Sequence, residues 1–383
     1  MELGGSTVST GPAAWPVSAT AETEDATAAD GWDLSRVLPP LGLGVLYLAT
    51  VLGGLALTNE IEAAGIVAFE DPESVANVGY FAVIIVAFTA ITIAAQRLGY
   101  GMQLIRLYML GVFGMLVGDL FVVMGYGTHV AGVPTSPLAL AAAGVTVVVL
   151  WVYPEWYVVD VAAVVGGAVI IPMMGLSFAP LPIVILLVAW AGYDAYSVYV
   201  SGHMQELAGG LGELKAPMMY VVPYTLEFSL VELDDLGIGP KDEEEVDANA
   251  DATGETAGDD DLAGPDDPGD TEDQDRYTGA GDSGEGNLPV TFLGLGDAII
   301  PGMLAVSAGH FLDAPVVVEA LNANLPAIGA LVGGVVGLGA LLLIANKFEG
   351  VHAGLPPLNA GVLGGYLVGA VLADVPITAA LGI

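Results

Sequence analysis

Hydrophobic and polar residues fall in long blocks along this chain, not in a short alternating pattern. Nine apolar stretches are each long enough to cross a bilayer as a helix, which takes about 20 residues. They are too long for strands and lack the alternation of strands. The sequence therefore predicts an all-α polytopic membrane protein with nine transmembrane helices, over residues 37–57, 79–96, 102–125, 133–153, 157–175, 178–202, 288–311, 326–346 and 355–375.

Two polar segments set the organisation around these stretches. Residues 1–36 are acidic and lack the basic start of a signal peptide, so they are predicted to be a disordered N-terminal tail. Residues 232–287 hold a large share of the 44 acidic residues and have too little apolar surface to fold alone. The expected order is the tail, helices 1–6 with a juxtamembrane segment (37–231), a disordered acidic loop (232–287), and helices 7–9 (288–383).

Composition excludes several classes of function. The formal net charge is −37, with only 7 Lys and Arg, which argues against nucleic-acid binding because that needs a basic surface. The chain has no Cys, so disulfide and thiol chemistry are excluded. Many acids and few lysines also suit a high-salt cytoplasm and favour a halophilic source.

The few basic residues predict the orientation in the membrane. With nine spans, all of them fall on one face, and the positive-inside rule makes that face cytoplasmic. The N-terminus and the acidic loop are then cytoplasmic, and Ile383 lies on the outer side. The expected location is the cell membrane, as a multi-pass protein. The basic residues are Arg36, Arg97, Arg106, Lys215, Lys241, Arg276 and Lys347.

Two aspartates lie inside apolar spans, Asp194 in the sixth and Asp297 in the seventh. An ionisable side chain in the bilayer is costly and is read first as functional, with a partner to be named. In the predicted topology both lie about 12–14 Å below the cytoplasmic face, at 1.5 Å of rise per residue. We expect the two carboxylates to face each other.

The residues around the aspartates suit a hydrolytic site. Gly294 and Gly296 permit close approach by a partner helix or a substrate, and Tyr193 can pack its ring while its hydroxyl forms a hydrogen bond. Two carboxylates in contact share one proton. The ionised one can then activate water, while the protonated one donates to a peptide carbonyl oxygen. This chemistry needs no cofactor, and the four histidines lack metal-ligand spacing.

These motifs resemble a known family. Gly192-Tyr193-Asp194 in a sixth span and Gly294-Leu295-Gly296-Asp297 in a seventh are similar to the GxGD intramembrane aspartyl proteases, presenilin and signal peptide peptidase. The ninth span begins with a sequence similar to the family's Pro-Ala-Leu, with proline in the middle position. The resemblance covers 37–375 and implies that Asp194 and Asp297 are catalytic. It also implies that the site is shaped by Tyr193, Gly294, Gly296, Pro356, Pro357 and Leu358.

The same resemblance implies the partners. Substrates would be single-span membrane proteins or signal-peptide-like segments within the lipid bilayer. A cytoplasmic N-terminus is presenilin-like, and the acidic bias favours an archaeal, halophilic member. The sequence leaves open whether the protein acts alone or with accessory subunits.

Short strand-forming segments flank the acidic loop, at 218–222, 225–230 and 288–292. We hypothesise that they expose an edge which pairs with an extended substrate segment. The alternative is an amphipathic piece that lies on the lipid surface.

Other functions remain in competition. A proton- or ion-coupled transporter also uses buried aspartates, although the two motifs do not repeat across halves and an odd span count fits an inverted repeat poorly. An assembly factor with a relic dyad is a third possibility. Asp119 is expected to reach the interface or pair with a polar neighbour, and Asp160 to be solvated or hydrogen-bonded. Gly333-Gly334 and Gly364-Gly365 are expected to pack helices.

Overall fold

The computed structural model describes residues 34–97, 101–130, 133–201, 218–231, 290–347 and 354–383, and these are mainly helical. The predicted acidic loop and most of the N-terminal tail lie outside the described residues. In chain order the helices are α1 (Leu34–Ala56), α2 (Thr58–Ala63), α3 (Ala76–Arg97), α4 (Gly101–Phe121), α5 (Pro137–Val152), α6 (Trp156–Gly175), α7 (Pro180–Tyr196), α8 (Leu295–Phe311), α9 (Leu325–Lys347), α10 (Leu355–Leu372) and α11 (Ile377–Ala380).

The long helices coincide with the predicted apolar stretches. Among the described residues, seven are long and apolar enough to cross a membrane, whereas α5 and α8 are apolar but shorter. The chain is therefore a multi-pass membrane protein. Helices α4 and α7 each continue into a π-helical turn, over Val122–Tyr126 and Ser197–Ser201.

Helices α5 and α8 begin several residues later than the sequence predicted, because strands take up the first residues of the predicted spans. Helix α5 starts at Pro137, where the Ser136 hydroxyl accepts a hydrogen bond from the Ala139 amide at 3.0 Å and caps the helix. The residues before it form β2 (Val133–Pro134), which pairs with β1 (His129–Val130). Helix α8 starts at Leu295 because the preceding residues are extended.

The strand before α8 belongs to a two-stranded antiparallel sheet. It consists of β3 (Met219–Pro223) and β4 (Val290–Gly294), with Val221 opposite Phe292. The strand prediction is thus confirmed on both sides of the acidic loop. It is wrong for 225–230, which form turns and irregular backbone. A third small sheet joins β5 (Val316–Val318) to β6 (Ala323–Asn324).

Helices α1, α6 and α8 pack together in the centre, while α3 lies at the periphery with none of its membrane-length window buried. Among the described helices, α9 and α10 pack most closely against each other. A Cβ on Gly333 would overlap the Gly361 carbonyl oxygen, and one on Gly365 would overlap that of Gly329. The packing role predicted for Gly333 and Gly365 is therefore confirmed.

The two neighbouring glycines behave differently. Gly334 lies against the Tyr47 hydroxyl of α1, so it packs helices as predicted. Gly364 has open space where a Cβ would be, so the packing prediction is wrong for this residue.

Candidate active site

Asp194 lies in the last turn of α7, and its side chain is buried. Its Oδ2 accepts a hydrogen bond from the Leu355 amide at 2.9 Å, and the Gly354 amide points at the same carboxylate. Both amides belong to the start of α10. A helix N-terminus is a favourable place for a negative charge, because its first amides lack partners within the helix. The sixth predicted span thus carries the acid, and the ninth supplies its hydrogen bonds.

Asp297 is the third residue of α8, and its carboxylate turns back over the start of that helix. It interacts with the backbone amide of Gly294, the residue that caps the helix. A Cβ on Gly294 would lie 3.2 Å from Oδ2 of Asp297. Glycine at this position therefore makes room for the aspartate's own carboxylate, where the sequence had suggested a partner helix or a substrate.

The fold brings the two aspartates together. Helices α7 and α8 pack against each other, and the Asp194 and Asp297 carboxylates are close enough to interact electrostatically. In the described parts of the chain, the hydrogen bonds to both carboxylates come from backbone amides. The arrangement can hold a single proton between two acids.

The proline motif stands next to Asp194. Pro356 and Pro357 fall in the first turn of α10, where a missing amide proton costs the helix nothing. Leu358 is fully buried. One residue further on, the Asn359 Nδ2 atom donates to the Leu187 carbonyl of α7 at 2.9 Å. The motif therefore sits where α10 is fastened to the helix that carries Asp194.

Tyr193 and Gly296 lie beside the aspartates but do not pack into the bundle. The Tyr193 side chain is 65% exposed, so the packing expected for its ring is not seen. A Cβ on Gly296, or on Gly192 before Tyr193, would meet nothing within 4 Å. Open space therefore lies beside these neighbours of the two acids.

A third carboxylate lies near this site. Asp160 of α6 is buried, and its Oδ1 accepts from the Val221 amide of β3 at 2.8 Å. Of the two states expected for it, hydrogen-bonded is right and solvated is wrong. Tyr220 interacts with the charges of both Asp160 and Asp297, and its hydroxyl lies 2.6 Å from the Thr50 hydroxyl. Sequence reasoning missed Tyr220 and Thr50, because no motif marks either residue.

The remaining polar candidates do not join the site. Asp119 Oδ1 lies 2.9 Å from His129 Nε2, which confirms the expected polar neighbour. His203 and His352 lie outside the described residues. Within the described ranges, no three His, Asp or Glu side chains come together as a metal site would require.

Comparison with known proteins decides the family. A family model described as signal-peptide peptidase, presenilin aspartyl protease matches residues 44–375. The chain belongs to this family. It is accordingly an aspartic endopeptidase that acts within the membrane, and the transporter alternative is not favoured.

Solved structures agree with the assignment. Two structures of a presenilin family intramembrane aspartate protease, one in space group C222 and one in P2, are each 28% identical to this protease. They superpose with TM-scores of 0.55 and 0.54, covering 88% of this chain and 100% and 99% of theirs. No curated protein matched the chain.

Proposed function

We propose that Asp194, in the Gly-Tyr-Asp motif, and Asp297, in the Gly-x-Gly-Asp motif, are the catalytic dyad of this intramembrane protease. One observation carries the proposal. Two carboxylates from separate helices lie close enough to interact, and backbone amides hold each of them. Aspartyl proteolysis needs two such carboxylates and no cofactor.

The chemistry follows from the shared proton. Two like charges in an apolar site cannot both persist, so one aspartate is ionised and the other protonated. The ionised carboxylate takes a proton from water as the water oxygen attacks the scissile carbonyl carbon. The protonated one donates to the carbonyl oxygen. When the tetrahedral intermediate collapses, the amide nitrogen leaves with a proton from the dyad. Titration belongs to the pair and not to either residue.

The other site residues have supporting roles in this proposal. Pro356, Pro357 and Leu358 shape the site by placing the first turn of α10, which supplies the Leu355 amide. Gly294 leaves room for the Asp297 carboxylate. Tyr193 and Gly296 border the open space through which substrate and water reach the dyad.

Substrate is presented as an extended strand on β4. The Val221 amide turns away from β4 towards Asp160, while the Leu295 amide donates to the Met218 carbonyl at 2.9 Å. Bonded and non-bonded pairs alternate in an antiparallel ladder, so the N–H and C=O of Phe292 face away from β3. That edge can pair with an unwound substrate segment. Single-span membrane proteins and signal-peptide-like segments are the substrates proposed.

The proposed topology has nine spans in the cell membrane, with a cytoplasmic N-terminus and an external C-terminus. The clustering of all 7 Lys and Arg at one face supports it. The tail (1–36) and the acidic loop (232–287) then lie on the cytoplasmic side, the tail before the first membrane part and the loop between the two membrane parts. The acidic composition supports an archaeal, halophilic source.

Single Asp194→Asn and Asp297→Asn variants test the dyad. Each purified protein is reconstituted in liposomes with a transmembrane reporter, and peptide products are measured by mass spectrometry. We expect each substitution to lower turnover by about 10²–10⁴-fold, the usual contribution of general acid–base catalysis. Thermal unfolding of the same samples checks that the fold persists. Turnover within tenfold of wild type in either variant would overturn the dyad.

A further inference from the structure

Helix α6 carries two buried acids that the proposed chemistry does not use. Glu155 immediately precedes the helix and Asp160 lies in its second turn, and they are 6% and 4% exposed. Both bind the segment that includes β3 and the turns after it. Asp160 accepts from the Val221 amide at 2.8 Å, and Glu155 accepts from the Leu230 amide at 3.1 Å. Glu155 also accepts from the Ser229 hydroxyl at 2.6 Å.

The hydrogen bond to Asp160 gives a partner to an amide on the edge of β3 that does not pair with β4. One edge of this strand pairs with β4. On the other edge, the Val221 amide faces away from β4 and would be an unpaired donor in a buried setting. Asp160 supplies the acceptor, so β3 is held between helix α6 and strand β4. A buried carboxylate is costly unless it is hydrogen-bonded, so this acid fixes the strand at one point of α6.

The backbone connects that fixed point with Asp297. The carbonyl of Met218, which precedes β3, accepts from the amide of Leu295, the first residue of α8. Asp297 follows two residues later. A displacement of β3 from α6 would therefore move the turn that carries Asp297.

We propose that Asp160 is a positioning residue for this protease. By holding the Val221 amide, it fixes β3 and with it the β4 edge and the Asp297 turn relative to Asp194. The inference rests on the proposed dyad, but it concerns a buried residue outside that dyad. Loss of the acceptor should change how the substrate is placed, beyond the loss of stability that an unpaired Val221 amide causes.

The test compares Asp160→Asn, which keeps the Oδ1 acceptor, with Asp160→Leu, which removes it. The matched control is Asp119→Leu, which removes another buried acid, on α4, that binds His129 instead of a strand. For each variant, kcat and KM are measured in liposomes on one transmembrane reporter. Product termini are mapped by mass spectrometry, and thermal unfolding reports the folded fraction.

We expect Asp160→Asn to keep kcat within about threefold and to cut at the wild-type bond. For Asp160→Leu, kcat should fall about tenfold or more while KM changes little, because a small misplacement of a reacting group slows catalysis strongly. Its cleavage sites should spread over neighbouring peptide bonds. Asp119→Leu should keep the wild-type termini. Wild-type kcat and termini in Asp160→Leu would overturn the proposal. So would equal losses in Asp160→Asn or Asp119→Leu.

A second variant keeps the test decisive if Asp160→Leu does not fold. Val221→Pro removes the donor from the other side, at a position whose amide does not serve the β3–β4 ladder. Val221→Ala is its control, because it keeps the amide. Spread termini in Val221→Pro but not in Val221→Ala support the proposal, and identical termini in both overturn it. Failure of the dyad would instead show as retained activity in Asp194→Asn, a separate result.

Discussion

Two acidic sites lie inside the helical bundle, and their surroundings differ in kind. Asp119 has a local partner, because His129 is ten residues away in sequence and its imidazole lies 2.9 Å from the carboxylate. Asp194 on α7 and Asp297 on α8 are close enough to interact electrostatically, and in the described residues backbone amides hold them. The first site is a completed acid–base pair. The second is a pair of acids, which in the proposed function share one proton and act on water and a peptide.

The difference follows from the cost of charge in a membrane. A carboxylate beside a base can be neutralised by its partner, and this contact then serves structure. Two carboxylates cannot neutralise each other except by sharing a proton, and a shared proton can be passed on. The role of a buried acid is therefore indicated chiefly by the group that its carboxylate contacts.

A displacement of α10 should disrupt the second site and spare the first. The start of α10 donates a hydrogen bond to Asp194, whereas Asp119 binds His129. A Cβ on Gly365 would overlap the Gly329 carbonyl oxygen, whereas one on the adjacent Gly364 would meet nothing within 4 Å. We expect Gly365→Ala to separate α9 from α10 and to lower activity by about 100-fold, as small displacements of a catalytic group do. Overpacking should also reduce stability by about 1–3 kcal/mol.

Gly364→Ala is the matched control, with the same substitution one residue away. Its activity and melting temperature should stay at wild-type values. Equal effects of Gly364→Ala and Gly365→Ala, in reporter cleavage and thermal unfolding, would contradict the role given to this interface.

Much of this contrast could be predicted from the sequence. The apolar stretches located the long helices, and the motifs around Asp194 and Asp297 selected two acids that are close enough to interact electrostatically. The equal depth expected for the two aspartates, from the constant rise per residue of a helix, stays a prediction. Even the polar neighbour of Asp119 was an expectation that the His129 contact confirms.

The groups that hold the carboxylates could not be predicted. The donor to Asp194 is a backbone amide, and an amide carries no residue-type signal. The link from Asp160 to Val221 joins residues 61 positions apart, and no pattern within either segment encodes it. The outward side chain of Tyr193 depends on the rotation of α7, which a uniformly apolar helix leaves undefined.

Removing one amide sharpens the comparison without moving a helix. Leu355→Pro deletes the donor to Asp194 at the first position of α10, where proline suits a helix. We expect activity to fall by about tenfold to 100-fold, since a hydrogen bond to a charged group is worth about 1.5–3 kcal/mol. Leu355→Ala keeps the amide and should retain near wild-type turnover. Similar turnover in the two variants would mean that the amide does not support catalysis.

The smallest effect is expected at the completed pair. In Asp119→Asn the amide oxygen can still accept from His129, whose side chain is 20% exposed and can also bind water. Stability should fall by about 1 kcal/mol at most, the usual net worth of one hydrogen bond, and reporter cleavage should stay within about threefold of wild type. Thermal unfolding and turnover are measured on the same reconstituted samples. A loss of activity comparable to that of Asp297→Asn would show that the local acid–base pair takes part in proteolysis, and the contrast between the two sites would then fail.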